Sequence, residues 1–277
     1  MKIVIAGRGE LAVRSAHLFS MLAQLDPRLT IECVPAPGGI DSLYRSAMLT
    51  AAAQRHGWRL HADTSGLDLA AEDLLVSLQY PLIIPAEHLG YATAVNLHFS
   101  PLPRHRGSLS CYWPIVGRDA EAGVTLHEIT PSVDAGPVID RRTFALPSFF
   151  TAAELFTHFE REAFELLSAN AGRLLDRSYA ATPQPEGTAA HRRSDVDFAN
   201  IEITDFDRPA TVVRDATLAL VFPNFQEPTF RGRSVGRAYA IESPGRLESE
   251  PGTIVAATQD VVMVCCSEGV VVLEFSG

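Results

Sequence analysis

The sequence predicts an α/β fold: a Rossmann-like, mainly parallel sheet with helices on both faces, followed by a small C-terminal β-rich domain shaped as a partial barrel. Strand and helix signals alternate through the first half of the chain. A polar stretch from Pro183 to about Asn200 then separates two regions of different pattern. Beyond Phe222, short apolar segments follow one another at hairpin spacing.

Lys2 to Ala6 reads as a strand, and Gly7-Arg8-Gly9 turns it into an amphipathic helix from about Glu10 to Leu25. Leu29 to Val34 is a second strand, Asp41 to about Gln54 a helix, and Trp58 to His61 a third, short strand. Leu74 to Gln79 is an apolar strand ended by Tyr80-Pro81, and Thr93 to Phe99 is the next. Such alternation implies right-handed crossovers between parallel strands. Gly123 to Ile129 and Val138 to Leu146 read as two more strands. Pro147-Ser148 breaks the chain before Thr151-Ala152-Ala153-Glu154, which has the capping-box pattern. The helix it opens carries Leu155, Phe156, Phe159, Ala163, Leu166, Leu167 and Leu174 as an apolar stripe suited to cover the sheet.

These signals divide the chain into a first domain over residues 1–182, a linker over 183–205 and a small C-terminal α+β domain over 206–277. Asp207-Arg208-Pro209 suits a helix start, with Asp as the cap and Pro in the first turn. Gly236 to Ile241, Gly252 to Thr258, Val261 to Cys266 and Gly269 to Phe275 are strands. The turns Gln259-Asp260 and Ser267-Glu268 between them fit tight hairpins.

Composition narrows the functional classes. The 277 residues are 47% apolar, and the mean hydropathy is +0.08. No apolar run approaches the roughly 20 residues that span a bilayer, so no membrane partner is expected. The apolar start Ile3-Val4-Ile5-Ala6 is too short for the core of a signal peptide, and a cytoplasmic location is expected. Cys33, Cys111, Cys265 and Cys266 lack metal-ligand spacing and read as buried, reduced thiols. No cluster of His, Cys or carboxylates has ligand spacing, so no metal is expected. The net charge is -10, with Lys2 as the single lysine. Such a chain repels phosphate backbones, which disfavours nucleic acid as a partner. The scarcity of lysine also excludes Schiff-base chemistry almost everywhere.

The chemistry concentrates in Asn96-Leu97-His98-Phe99-Ser100-Pro101-Leu102-Pro103-Arg104-His105-Arg106-Gly107. Strand side chains alternate, so Asn96 and His98 share a face opposite Val95, Leu97 and Phe99. A buried strand has no use for an amide beside an imidazole unless both find partners. Asp134, in the Gly/Pro-bounded loop Thr130 to Pro137, is a carboxylate able to orient the imidazole. Both groups fall at the carboxyl ends of strands, where open α/β sheets collect ligands. His61, His88 and His127 read instead as ordinary core or surface histidines.

On these residues the sequence resembles the formyltransferases that use N10-formyltetrahydrofolate. The segment Asn96 to Gly107, then Gly123-Val124-Thr125-Leu126-His127, then Val133-Asp134-Ala135-Gly136-Pro137-Val138-Ile139 carry the likeness, which covers the N-terminal two-thirds. The resemblance implies that Asn96, His98 and Asp134 form a catalytic triad. It also implies that the folate lies against Gln79, Tyr80, Pro81, Ile83, Ile84 and Pro85 and against the segment from Pro131 to Asp140, Val133 and Asp140 in particular. Ser100, Arg104, Gly107 and Phe222 are expected to shape the acceptor site. Asn96 and a protonated His98 would donate to an oxyanion at the formyl carbon, or His98 would act as the base. Sequence leaves those two roles open.

The expected acceptor is a primary amine. Gly7 to Ala12, Ser77 to Tyr80, Phe222 to Pro228 and Arg192 to Asp195 resemble sugar N-formyltransferases, which act on nucleotide-linked amino deoxysugars. Methionyl-tRNA formyltransferases share the triad motifs, but an acidic chain with a short C-terminal domain is a poor tRNA partner. An N-hydroxylated ornithine of siderophore assembly is the alternative acceptor. Gly7-Arg8-Gly9-Glu10-Leu11-Ala12 with Glu32 also satisfies a loose dinucleotide fingerprint, the basis of a rival NAD-dependent oxidoreductase. A non-catalytic folate-binding module would need no intact triad. Whether the C-terminal domain binds a ligand or makes a homodimer contact stays open.

Overall fold

The computed structural model describes residues 1–37, 40–185, 189–223, 225–242 and 249–276, and only the backbone of residues 40–44. Asn224 and residues 186–188, which belong to the Phe222 to Pro228 motif and to the expected linker, lie outside that set.

The elements run β1 (Lys2–Gly7), α1 (Gly9–Leu25), β2 (Thr30–Pro35), α2 (Ile40–His56), β3 (Arg59–Leu60), β4 (Leu74–Leu78), β5 (Thr93–His98), α3 (Trp113–Val116), β6 (Glu121–Glu128), β7 (Val138–Ala145) and α4 (Ala152–Leu175). After these come α5 (Ala210–Leu220), β8 (Thr229–Phe230), β9 (Arg233–Ile241), β10 (Ile254–Ala257), β11 (Val261–Cys265) and β12 (Val270–Phe275). The first sheet has the order β3-β2-β1-β4-β5-β6-β7. Its pairs from β3 through β5 are parallel, and β6 runs antiparallel to β5. Successive residues Ile3, Val4, Ile5 and Ala6 are all fully buried. Neighbours on a strand point to opposite faces, so both faces of this sheet are covered.

Gly7 ends β1 where a Cβ would stand 2.3 Å from the Leu78 carbonyl oxygen. Packing against β4 therefore requires that glycine, whatever the loop binds. The apolar stripe of α4 is buried from Leu155 to Leu174, and Phe159 packs on Phe99 with ring centres 5.2 Å apart. Thr151 and Glu154 close the expected capping box: Glu154 N–H donates to Thr151 Oγ1 at 3.2 Å, and Thr151 N–H donates to Glu154 Oε2 at 2.8 Å.

The chain forms two compact units, and neither is one continuous stretch. The first holds Met1–Gly107, Gly123–Thr143 and His158–Ala190; the second holds Ser108–Ala122, Phe144–Thr157 and His191–Gly277. Segments 108–122 and 144–157, expected in the first domain, thus cluster with the second unit. Within that unit, Leu146 N–H donates to the Ala120 carbonyl, Ala153 N–H to the Val221 carbonyl, and Arg118 Nε to Asp215 of α5 at 2.6 Å. The second sheet, β10-β11-β12-β9-β8, is antiparallel, with α5 packed on β9 and β12. Both expected hairpins form. One local expectation fails: α5 starts at Ala210 with Pro209 at the cap position and no side-chain cap, so Asp207 does not cap it.

Candidate active site

Strand register assembles the site within the first unit. Asn96 faces Ser77 of β4 on one side and His127 of β6 on the other, and His98 faces Thr125. The antiparallel step from β5 to β6 is what sets a second histidine beside Asn96. Thr125 then pins the loop that follows β5: its hydroxyl donates to the Ser100 carbonyl at 2.7 Å and accepts from Leu102 N–H at 3.1 Å. Ser100 Oγ donates to the Arg104 carbonyl at 2.7 Å.

Asp134 reaches the same point from the loop after β6, in a left-handed backbone conformation with φ 48°. At Gly136, a Cβ would lie 1.8 Å from the Glu128 carbonyl oxygen, so only glycine lets the loop return this tightly. Asp134 is the hub of the cluster. Its Oδ2 accepts from Gly107 N–H at 2.8 Å and faces His98 Nδ1 at 3.4 Å. Its Oδ1 lies 3.4 Å from Asn96 Nδ2 and 3.6 Å from His127 Nε2. His127 Nδ1 donates to the Glu128 carbonyl at 2.9 Å, which leaves Nε2 as an acceptor for Asn96 Nδ2 at 3.1 Å. His98 Nε2 donates to the His105 carbonyl at 2.9 Å.

Burial pulls the His98 imidazole below its ordinary range, against the opposing pull of the Asp134 carboxylate and the His105 carbonyl. Burial also pushes the Asp134 carboxyl upward. The adjoining His98 and His127 rings, with the Gly107 N–H, together outweigh it and hold Asp134 at about 2. A fixed carboxylate thus stands beside an imidazole that burial keeps neutral at rest, and the carboxylate offsets part of the cost of protonating it.

The expected site residues separate into groups. Asn96, His98, Asp134 and the Gly107 backbone converge. Ser100 is buried, with its hydroxyl committed to its own loop, and Arg104 is exposed. Gln79 follows β4 at φ 56°, and Pro81 and Ile83 are exposed on the loop it opens; Pro85 is half-buried there. Ile84 belongs to the core with Val4, Ala6, Val34, Leu75 and Ala94, and Tyr80 packs against it. Val133 is exposed beside Asp134. Asp140 accepts from Asn170 Nδ2 at 2.8 Å, tied to α4. Phe222 is in the second unit, edge-on to Phe156 and Phe225. Glu32, read as a ribose ligand in the dinucleotide alternative, instead holds His61 Nε2 at 2.6 Å.

Two contributors were not expected. His127, read as an ordinary histidine, touches both Asn96 and Asp134; the signal was its place opposite Asn96, legible only once β6 is paired antiparallel. Gln184, assigned to the linker, donates through Nε2 to the Asp134 and Gly136 carbonyls at 3.0 and 2.6 Å. Its Oε1 accepts from the buried Arg106 guanidinium at 2.8 Å. Arg106 is therefore an internal strut of the site.

Among the described residues, no group of three or more His, Cys, Asp or Glu side chains is placed to hold a metal ion, and no helix is long and apolar enough to cross a membrane. Burial, with Glu32 alongside, pushes the Cys33 thiol up to about 12, so it stays protonated and unreactive.

The "Formyl transferase" family profile matches residues 44–167. The methionyl-tRNA formyltransferase of Burkholderia multivorans is 32% identical over 202 residues, which cover 71% of this chain and 61% of that relative. An N-formyltransferase from Helicobacter canadensis, solved with folinic acid and dTDP-3-aminofucose, superposes with a TM-score of 0.83 at 21% identity over 100% of both chains. WlaRD, a sugar 3N-formyl transferase, follows at a TM-score of 0.81 and 19% identity, over 99% of this chain and 97% of that one.

Proposed function

The chain belongs to the formyltransferase family, and from that premise we propose that it moves the formyl group of N10-formyltetrahydrofolate to the amino group of a nucleotide-linked amino deoxysugar. The observation that carries this reading is the convergence of Asn96, His98 and His127 on the Asp134 carboxylate at the carboxyl end of β5.

The loop surfaces fit a reduced folate. Leu82 and Ile83 beyond β4 and Val133 beyond β6 expose large apolar side chains, which suit a flat, partly apolar ring. When bound, the folate supplies an electrophilic formyl carbon on N10. His98 rests neutral and takes the proton of the incoming amine as its nitrogen bonds to that carbon. The imidazolium that results donates to Asp134 and to the His105 carbonyl, so both contacts favour the protonated ring. Asn96 lies on the same face; keeping its bond to His127 and giving up the long 3.4 Å contact to Asp134, its amide donates to the formyl oxygen as negative charge develops, worth about 3 kcal/mol for one pre-organised donor. His98 then returns the proton to the departing nitrogen. His127 accepts from Asn96 and fixes the orientation of its amide.

For the acceptor, the supporting observation is the likeness over the full length, second unit included, to an N-formyltransferase solved with dTDP-3-aminofucose and to a sugar 3N-formyl transferase. The second reading is tRNA, favoured by the identity to methionyl-tRNA formyltransferases, of whose length this chain spans 61%. Charge argues against it: the net charge is -10 and Lys2 is the only lysine. Mass spectrometry of products from N10-formyltetrahydrofolate and a panel of amino-sugar nucleotides, N-hydroxyornithine and methionyl-tRNA tests the assignment. An N-formyl sugar nucleotide is expected. Product from N-hydroxyornithine or tRNA alone would replace the acceptor, and no formyl product from any amine would overturn the transfer itself.

A further inference from the structure

A second histidine cluster lies away from the site just described. His17 is on α1, His56 is in the last turn of α2, and Trp58 leads into the amino end of β3. Asn96 and His98 are at the carboxyl end of β5, which is separated from β3 by β2, β1 and β4 in the same sheet. His17 Nε2 and His56 Nε2 are 3.0 Å apart, and the ring centres are 4.7 Å apart at 90°. His17 Nδ1 is 2.9 Å from the Val13 carbonyl, so that nitrogen carries the proton, and Nε2 presents a lone pair to which His56 Nε2–H donates, a proton that a bound ion would displace.

The two distances are tied by one geometry. An ion bonded at about 2.05 Å to both nitrogens would subtend an angle of about 94° at 3.0 Å separation. The same angle would put the ring centres about 4.6 Å apart, allowing ~1.1 Å from each nitrogen to its ring centre, close to the 4.7 Å observed. Rings meeting head-on would be further apart. A tetrahedral ion would need nitrogens about 3.3 Å apart.

We propose that His17 and His56 form a two-histidine site for a divalent transition-metal ion that prefers right-angled ligand pairs, Cu2+ first and Ni2+ next. The Val13 carbonyl fixes the His17 tautomer, as outer partners of metal-bound histidines do. Trp58 stacks on His56 at 4.9 Å and 19° and meets His17 edge-on at 5.1 Å, which holds both rings in place. Water completes the coordination, and the acidic chain favours the approach of a cation. The bound ion would clip α1 to the end of α2.

Titration of the full-length protein with CuCl2 and NiCl2 tests this, read by calorimetry and by tryptophan fluorescence. One equivalent is expected to bind and quench Trp58, with Cu2+ tighter than Ni2+ and Zn2+ weaker than Cu2+. His17→Gln and His56→Gln should each weaken binding more than about tenfold, and the ion should raise the melting temperature of the wild type alone. Trp58→Phe should lose most of the quenching while keeping the stoichiometry. Binding that is equal in wild type and His17→Gln would overturn the site, as would quenching that survives Trp58→Phe or an absence of saturable binding. Circular dichroism checks that each variant folds, and His17→Gln carries the test by itself if His56→Gln does not.

Discussion

At the scale of single residues, the argument turns on one carboxylate held at about 2 and one imidazole held below its ordinary range. Because burial favours neutral His98, a base role gives kcat/KM an acid limb that lies below about pH 6.5, the ordinary imidazole value. Activity should fall as pH drops through that limb and stay level above it; a limb displaced upward would exclude the neutral resting state. Asp134→Asn removes the group that stabilises the imidazolium, and kcat should fall by roughly 10²–10⁴ while folate still binds. Turnover that matches the wild type would remove Asp134 from the mechanism. The same carboxylate bears on stability. Its folded value lies below the ordinary 3.8, so its contribution is complete above about pH 4 and is lost as pH falls through about 2. The difference corresponds to about 2 kcal/mol. Urea melts of wild type and Asp134→Asn should accordingly converge as pH falls from 5 toward 2.

At the scale of elements, the loop over residues 129–137 is the part most sensitive to substitution. Gly136→Ala places a methyl group against the Glu128 carbonyl, from which no flexible side chain can retreat. The loop must shift and carry Asp134 with it, so a loss of activity larger than the loss of stability is expected, read by kcat beside a thermal melt. Gln184→Ala acts on the same loop through hydrogen bonds, because it leaves the buried Arg106 guanidinium without that acceptor. A cost of about 2 kcal/mol in urea unfolding is expected, and a change under about 0.5 kcal/mol would show that Arg106 finds another partner. These elements also show what the chain reveals when read alone. β1, β4 and the helix opened by Thr151 were legible because buried strands read as unbroken apolar runs and helices as stripes of period 3.6. Asn96 and His98 were legible because polar groups at strand ends have no packing role, and Asp134 because its Gly/Pro-bounded loop accompanies them in the family pattern. His127 was not, since its neighbours depend on β6 reversing direction against β5. Gln184 was not, since a polar residue in a Pro-rich stretch carries no periodic signal. α3, four residues long, is too short to show a period.

At the scale of the whole molecule, two segments of the expected first domain join the second unit, and no local pattern announces such an exchange. Charge, in contrast, is a global property that the composition gives directly, and it separates the acceptor readings. A polyanion binds by releasing counterions, one arginine or lysine per phosphate, and the salt dependence of its affinity counts those contacts. A sugar nucleotide has two phosphates, so the slope of log affinity against log salt concentration should be shallow, about -2 or less steep. A tRNA acceptor would need a slope several times steeper, since six contacts give about -4 to -5. With a net charge of -10 and one lysine, the protein should hold no tRNA in filter binding at physiological salt. The KM for an amino-sugar nucleotide should rise only modestly between low and physiological salt. Retention of tRNA with a steep salt slope would mean that the arginines gather into a polyanion track, and the acceptor would then be the one used by the Burkholderia relatives.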